Sequence, residues 1–84
     1  MAKIDRKQIE QSVIEAVVAI LGVEPESVKA DTQLKELGAD SLDEVEIIME
    51  LDKKFGIDIT DEEADATDSW KVSEVCDLVE KKLR

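Results

Sequence analysis

The sequence predicts an all-α fold: a small four-helix bundle with a short third helix and a long loop between helices 1 and 2. Three observations predict it. The chain has 84 residues, of which 43% are apolar, enough for a core in one small domain, expected to span 1–84. Apolar residues recur at helical spacing in three long stretches. Lastly, we find no convincing strand pattern in the sequence.

The first helix is predicted from about Asp5 to Leu21, with Gly22 as its stop. Its apolar face comprises Ile9, Val13, Ala16, Val17 and Ile20. A long connection, 22–40, contains Pro25 and several turn formers. Its expected apolar anchors are Val28, Leu34 and Leu37. Connections of this length in a small domain are often functional or packed by their own side chains.

The second helix is predicted from about Ser41 to Phe55, ending at Gly56. With Leu42 at zero on a helical wheel, one apolar face lies at roughly 140° to 240°. It comprises Ile47, Ile48, Leu51 and Phe55. A second apolar group, at about 300° to 360°, comprises Leu42, Val45 and Met49. Acids lie between the two: Asp43, Glu46 and Glu50. Either the helix is buried on both sides, or the second group is an exposed stripe that binds a protein.

In the last part of the chain, the sequence predicts a brief extended piece, then one or two helical turns around Asp61 to Ala66, and a final helix from about Ser69 to Leu83. The buried stripe of the final helix comprises Val72, Val75, Cys76, Val79 and Leu83. Trp70 is expected at the start of this helix. It either fills the edge of the core, the interpretation that we favour, or has a functional role as a cover.

The chain carries 22 acidic and 11 basic residues, a formal net charge of −11. Such a charge repels nucleic acid and anionic membranes and attracts basic protein surfaces. The longest apolar run, "AVVAILGV", is too short to span a bilayer. A signal peptide is not apparent in the sequence, and a single Cys suits a reducing compartment, so the expected location is cytoplasmic.

The residue types argue against an enzyme and against a metal site. The chain has no His, which excludes Ser-His and Cys-His pairs. Cys76 lies on an apolar stripe and is expected to be a small core residue. The acids from Asp58 to Asp68 fail the calcium-loop pattern, because Glu63 stands where the turn glycine belongs. We therefore predict no catalytic residues and no metal.

Ser41 raises a separate question, because serine is a preferred helix cap and Glu44 three residues later completes the S-x-x-E capping box. Asp40 could cap equally well. The local sequence therefore leaves the role of Ser41 open between a cap and a functional residue.

The stretch "LGADSLDEVEIIMELDKKFGIDI" resembles the core of the acyl carrier proteins, and the resemblance covers nearly the whole chain. It implies a single carrier domain in which the serine of "DSL", Ser41, is esterified by 4′-phosphopantetheine from coenzyme A. The thiol of that arm would carry acyl intermediates as thioesters for fatty-acid or related biosynthetic enzymes. Cap and attachment point are compatible roles for a serine at this position.

The resemblance also implies a surface for partners, namely a phosphopantetheinyl transferase and acyl-transfer and synthase enzymes with basic surfaces. The implied partner-binding residues are Asp40, Leu42, Asp43, Val45, Glu46, Met49 and Asp52. A monomer is expected. Lys53 and Lys54 depart from the family, which commonly has acids there. Lys53 falls within the second apolar group, and Lys54 lies four residues after Glu50, a spacing that favours an ion pair.

Two alternatives remain open at this point. The chain could be a specialised carrier for a polyketide or another dedicated acyl pathway. From a different class, it could be an acidic helical adaptor that binds basic proteins without being modified.

Overall fold

A computed structural model describes residues 4–65 and 70–83. Its helices are α1 (Arg6–Leu21), α2 (Ser41–Phe55), α3 (Asp61–Asp65) and α4 (Val72–Leu83). Two 3-10 turns, Pro25–Ser27 and Leu34–Leu37, lie in the connection between α1 and α2. The predicted fold class, four helices with a short third one and a long first loop, is confirmed.

The ends of α1 follow from local chemistry. The Asp5 carboxylate accepts a hydrogen bond from the Gln8 backbone N–H, and the Gln8 side chain accepts one from the Asp5 N–H, each at 3.0 Å. This reciprocal pair satisfies two N–H groups that a helix start leaves free. At the other end Gly22 has φ 67°, a left-handed conformation that glycine adopts at little cost.

The core lies where α1 packs against both α2 and α4. Its fully buried side chains come from all three helices and from the long connection. They are Ile9, Val13, Val17, Leu34, Ile47, Leu51, Val75, Cys76 and Val79. Val28 and Leu34 anchor the connection as predicted, with 4% and 0% of their surface exposed.

Ion pairs join the helices at the rim of this core. Arg6 on α1 reaches α4, with Nη1 2.8 Å from Asp77 and 2.9 Å from Glu80. Lys54 on α2 lies 2.9 Å from Glu15 on α1. The pair expected between Lys54 and Glu50 is therefore replaced by one between helices, because α1 brings a carboxylate within reach.

The start of α4 differs from the prediction. The helix begins at Val72, after Trp70, and the predicted start at Ser69 lies outside the described residues, as does Ala66 at the predicted end of α3. Trp70 has φ 48°, which is left-handed and interrupts right-handed helical geometry. Trp70 therefore precedes the helix instead of opening it.

Three backbone hydrogen bonds hold the segment before α4 against the long connection. The N–H of Leu34 donates to the Trp70 carbonyl at 3.0 Å. The N–H groups of Val72 and Ser73 donate to the carbonyls of Thr32 and Ala30, at 3.0 Å and 2.9 Å. We call this set of three bonds the loop clip. It fixes the loop that leads toward Ser41.

Candidate functional site at the start of α2

Asp40, and not Ser41, caps α2. The Asp40 carboxylate accepts from the Asp43 N–H at 2.9 Å, and the Asp43 carboxylate accepts from the Asp40 N–H at 3.1 Å. The capping box that the sequence suggested for Ser41 and Glu44 is therefore wrong. Ser41 is the first residue inside the helix and is exposed. Its hydroxyl is thus not committed to the capping bonds of α2.

The electrostatic field at Ser41 has two opposing sources. The N-terminus of α2 contributes the positive end of a helix dipole. Three carboxylates surround it, those of Asp40, Asp43 and Glu44. Partial burial raises the pKa of Glu44 above its ordinary value, and the charges of Asp40 and Asp43 raise it further. Burial and the two neighbouring charges therefore both disfavour the charged form of the Glu44 carboxylate.

The second apolar group of α2 is exposed. Leu42, Val45 and Met49 have 72%, 51% and 62% of their surface exposed. The opposite face of the helix is in the core, with Ile47 and Leu51 at 0%. Of the two interpretations of this helix, burial on both sides is therefore wrong. We call Leu42, Val45 and Met49 the α2 stripe.

The acidic residues predicted to contact partners differ in exposure and in whether their carboxylates already accept hydrogen bonds within the protein. Glu46 is exposed on α2. Asp40 and Asp43 each use one carboxylate oxygen in the helix cap. Asp52 is half-buried, and its Oδ1 accepts the Ile59 N–H at 3.1 Å. Asp52 thus braces the loop that follows α2, a structural role that the sequence did not indicate.

A groove of about 530 Å³ opens beside Ser41. We call it the Ser41 groove. It is lined by Ser41, Glu44, Val45, Ile48, Met49, Asp52, Ile59, Ala64 and Trp70. Sequence reasoning missed Ile59 and Ala64 as part of the site. Their only signal was that they are apolar residues within an acidic run.

Two other kinds of site were sought in the described part of the chain. Among residues 4–65 and 70–83, no group of three or more Cys, Asp or Glu side chains is arranged to hold a metal ion. Within the same ranges, every helix is too short or too polar to cross a bilayer.

Comparison with known proteins connects this geometry to a family. Residues 11–81 match the family model described as "Phosphopantetheine attachment site". The chain is 42% identical over 80 residues to an acyl carrier protein of Rickettsia bellii strain RML369-C, covering 94% of this chain and 85% of that protein.

Two further relatives carry the same name. An acyl carrier protein of Chloroherpeton thalassium is 44% identical, covering 89% of this chain and 94% of that protein. An acyl carrier protein of Wolinella succinogenes is 48% identical over 66 residues, covering 77% of this chain and 80% of that protein. The similarity therefore extends over most of both chains in each comparison.

Proposed function

This chain belongs to the acyl carrier protein family, and on that premise we propose that Ser41 is the residue that holds its 4′-phosphopantetheine arm. The protein carries acyl groups on that arm, its relatives are named acyl carrier proteins, and we propose that it acts as a carrier and not as a catalyst. The observation that supports Ser41 is its freedom: Asp40 caps the helix, so the exposed Ser41 hydroxyl is available for esterification. We propose that residues 1–84 act as a single carrier domain.

The surroundings of Ser41 fit a phosphoester. Its oxygen lies at the helix N-terminus, where backbone N–H groups favour an anion. The neighbouring carboxylates oppose a second negative charge, so an ester that faces solvent fits better than a buried one. When bound, the arm supplies a thiol that holds the acyl group as a thioester.

The loading reaction needs an enzyme as well as Ser41. A new bond forms between the Ser41 oxygen and the phosphorus of the pantetheine phosphate, and the diphosphate bond of coenzyme A breaks. The adenosine-bearing half leaves, and the hydroxyl proton must go to a base. The chain has no His to act as that base at neutral pH. The transferase is therefore expected to provide it, and this chain provides the acceptor.

The partner surface that we propose is the α2 stripe with the acids beside it. Leu42, Val45 and Met49 offer apolar contact area, and Asp43 and Glu46 would attract a basic partner. Asp40 and Asp52 lie at the two ends of this surface and would contribute the carboxylate oxygens that the helix cap and the loop brace leave free. The net charge of −11 would speed association with basic enzymes.

For the carried acyl chain we propose the Ser41 groove as shelter. Ser41 lines the groove, and the buried floor is apolar, with Ile48, Ile59 and Ala64 at 7%, 6% and 9% exposure. Transfer of an alkyl chain from water to such a surface is favourable. We also propose that the protein works as a monomer in the cytoplasm, where its buried, free Cys76 would stay reduced.

The test is intact-mass measurement after incubation with coenzyme A and a phosphopantetheinyl transferase. The wild type should gain one phosphopantetheine, and Ser41→Ala should gain none. Ser27→Ala is the matched control, because Ser27 is also exposed and lies outside α2; it should load fully. Loading of Ser41→Ala would refute Ser41 as the site. A wild type that stays unmodified would favour the unmodified acidic adaptor.

A further inference from the structure

Trp70 has an unusual backbone. It is the only Trp of the chain, and among the described residues it alone combines a positive φ, 48°, with a side chain. A bulky residue is strained in this region, and such strain persists only where surrounding contacts enforce it. The loop clip holds the backbone at and after this residue, since the Trp70 carbonyl accepts a hydrogen bond from Leu34 and the Val72 N–H donates one to Thr32.

The clip places Trp70 at the Ser41 end of the groove. Leu34, whose N–H reaches the Trp70 carbonyl, also accepts the Ala39 N–H at 3.2 Å, and Ala39 precedes Ser41 by two residues. The opposite end of the groove is near Asp52 and Ile59, where the Ile59 N–H donates a hydrogen bond to the Asp52 carboxylate. Asp52 is three turns of α2 away from Ser41, roughly 16 Å along the helix.

The side chain of Trp70 takes part in both the core and the groove. Trp70 is half-buried, packs against the core and also lines the groove. Ser41, Ile59 and Trp70 line the same groove, so an arm on Ser41 that delivers its acyl chain to the apolar floor brings that chain into the groove that the indole borders.

We propose that Trp70 is a specificity residue that closes the Ser41 end of the groove over a carried acyl chain. This proposal rests on the proposed carrier function. Chains long enough to enter the groove pack against the indole, and their thioester is withdrawn from water. Chains too short to reach the apolar floor gain no such protection. Trp70 thus makes the protein discriminate between acyl groups by length.

The test compares thioester cleavage by hydroxylamine, which attacks the thioester carbonyl and releases the free thiol and a hydroxamic acid. Acetyl and octanoyl forms of the wild type, Trp70→Gly and Trp70→Phe are treated alike, and thiol release is followed. Glycine accepts φ 48° without strain, so Trp70→Gly removes the indole while leaving the loop clip intact. Circular dichroism melts verify that each variant is folded.

The wild type should release thiol more slowly from the octanoyl form than from the acetyl form. Trp70→Gly should accelerate release from the octanoyl form about tenfold, the equivalent of about 1.4 kcal/mol, and leave the acetyl form unchanged. Trp70→Phe, which keeps an aromatic ring, should fall between. A second readout is the fluorescence of the single Trp, which should change between the holo and octanoyl forms.

The outcomes separate the two proposals. Equal octanoyl rates for the wild type and a folded Trp70→Gly would overturn the role of Trp70 and leave the carrier function standing. Equal acceleration of acetyl and octanoyl cleavage would also overturn it, because the indole would then shield the arm without regard to chain length. A protein that cannot be loaded at Ser41 would refute the carrier proposal itself.

Discussion

Asp40 and Asp43 exchange two backbone-to-side-chain hydrogen bonds, of 2.9 Å and 3.1 Å, at the start of α2. The exchange relieves Ser41 of the capping role that its position in the sequence suggested. The helix start and the attachment chemistry therefore depend on different residues and can be altered separately.

A pair of variants should demonstrate this separation. Asp40→Ala should lower the free energy of unfolding by about 1 kcal/mol through loss of the cap. Ser41→Ala should change it by less than about 0.5 kcal/mol and should abolish loading by the transferase. Urea titrations followed by circular dichroism measure the first effect and intact mass the second. A Ser41→Ala variant as unstable as Asp40→Ala would contradict the assignment of the cap.

Glu63 should make the attachment of α3 to α4 sensitive to acid. A hydrogen bond from the Thr60 N–H and the ammonium of Lys82, whose Nζ lies 3.0 Å from Oε1 of Glu63, lower the pKa of Glu63 from 4.5 to about 2. A lowered pKa means that Glu63 stabilises the fold above pH 4.5, and that this stability is lost as the pH falls toward about 2. Glu63→Gln should therefore melt at a lower temperature than the wild type at neutral pH, and the difference should shrink below pH 4.5.

The control for that experiment is Glu62→Gln, which neutralises the adjacent exposed carboxylate. This variant should not show the lowered melting temperature that is expected of Glu63→Gln at neutral pH. If the difference in melting temperature between the wild type and Glu63→Gln stayed constant through the acid range, its cause would be packing and not ionisation.

Salt should stabilise the protein. Its net charge of −11 lies on a chain of 84 residues, and like charges at this density oppose the compact state. The screening length falls from ~10 Å at 0.1 M salt to ~3 Å at 1 M. Thermal melts across a sodium chloride series, and in millimolar magnesium chloride, should show a rising melting temperature. A flat or falling series would mean that repulsion is a minor contribution.

Lys53 should tune the choice of partner. It is exposed and lines a second, shallow groove together with Met49 of the α2 stripe and with Glu50, Ile57 and Asp58. A basic partner docked on the stripe would meet like charge here. Lys53→Glu should therefore raise the association rate with a general ketosynthase severalfold, more at low salt than at high salt. Glu46→Lys should lower it.

Stopped-flow association at two salt concentrations measures both effects. Lys7→Glu is the matched control, because it makes the same charge change at an exposed position of α1. If Lys7→Glu accelerated association as much as Lys53→Glu, net charge and not position would be the cause. A large gain for Lys53→Glu alone would favour a dedicated pathway over general fatty-acid synthesis for the natural protein.

The parts of the fold that local chemistry determines could be predicted from the sequence. The bounds of α2, Ser41–Phe55, agree with the prediction, because capping residues and Gly56 mark them within a few positions. The sequence left the cap open, since Asp40 and Ser41 are both good caps and only the hydrogen bonds of Asp40 distinguish them. Lys54 forms an ion pair with Glu15 because α1 lies beside α2. The spacing of residues within α2 could not indicate this contact between helices.

The start of α4 was missed for a related reason. The Trp70 carbonyl accepts a backbone hydrogen bond from Leu34, which lies far away in the sequence. Helical spacing continues through the residues beyond it, so the pattern gave no signal of an interruption. Tertiary contacts of this kind override local preference.

The loop clip joins residues that emerge from the ribosome at different times. The ribosome delivers α2 before it delivers Trp70, Val72 and Ser73, the residues that hold the loop ahead of Ser41. Until those residues emerge, Ser41 is accessible but its loop has no partner and one end of its groove is missing. In a nascent or C-terminally truncated chain, Ser41 would therefore be exposed without the ordered loop and the complete groove. A transferase that recognises the assembled surface would load only a chain that includes Trp70, Val72 and Ser73.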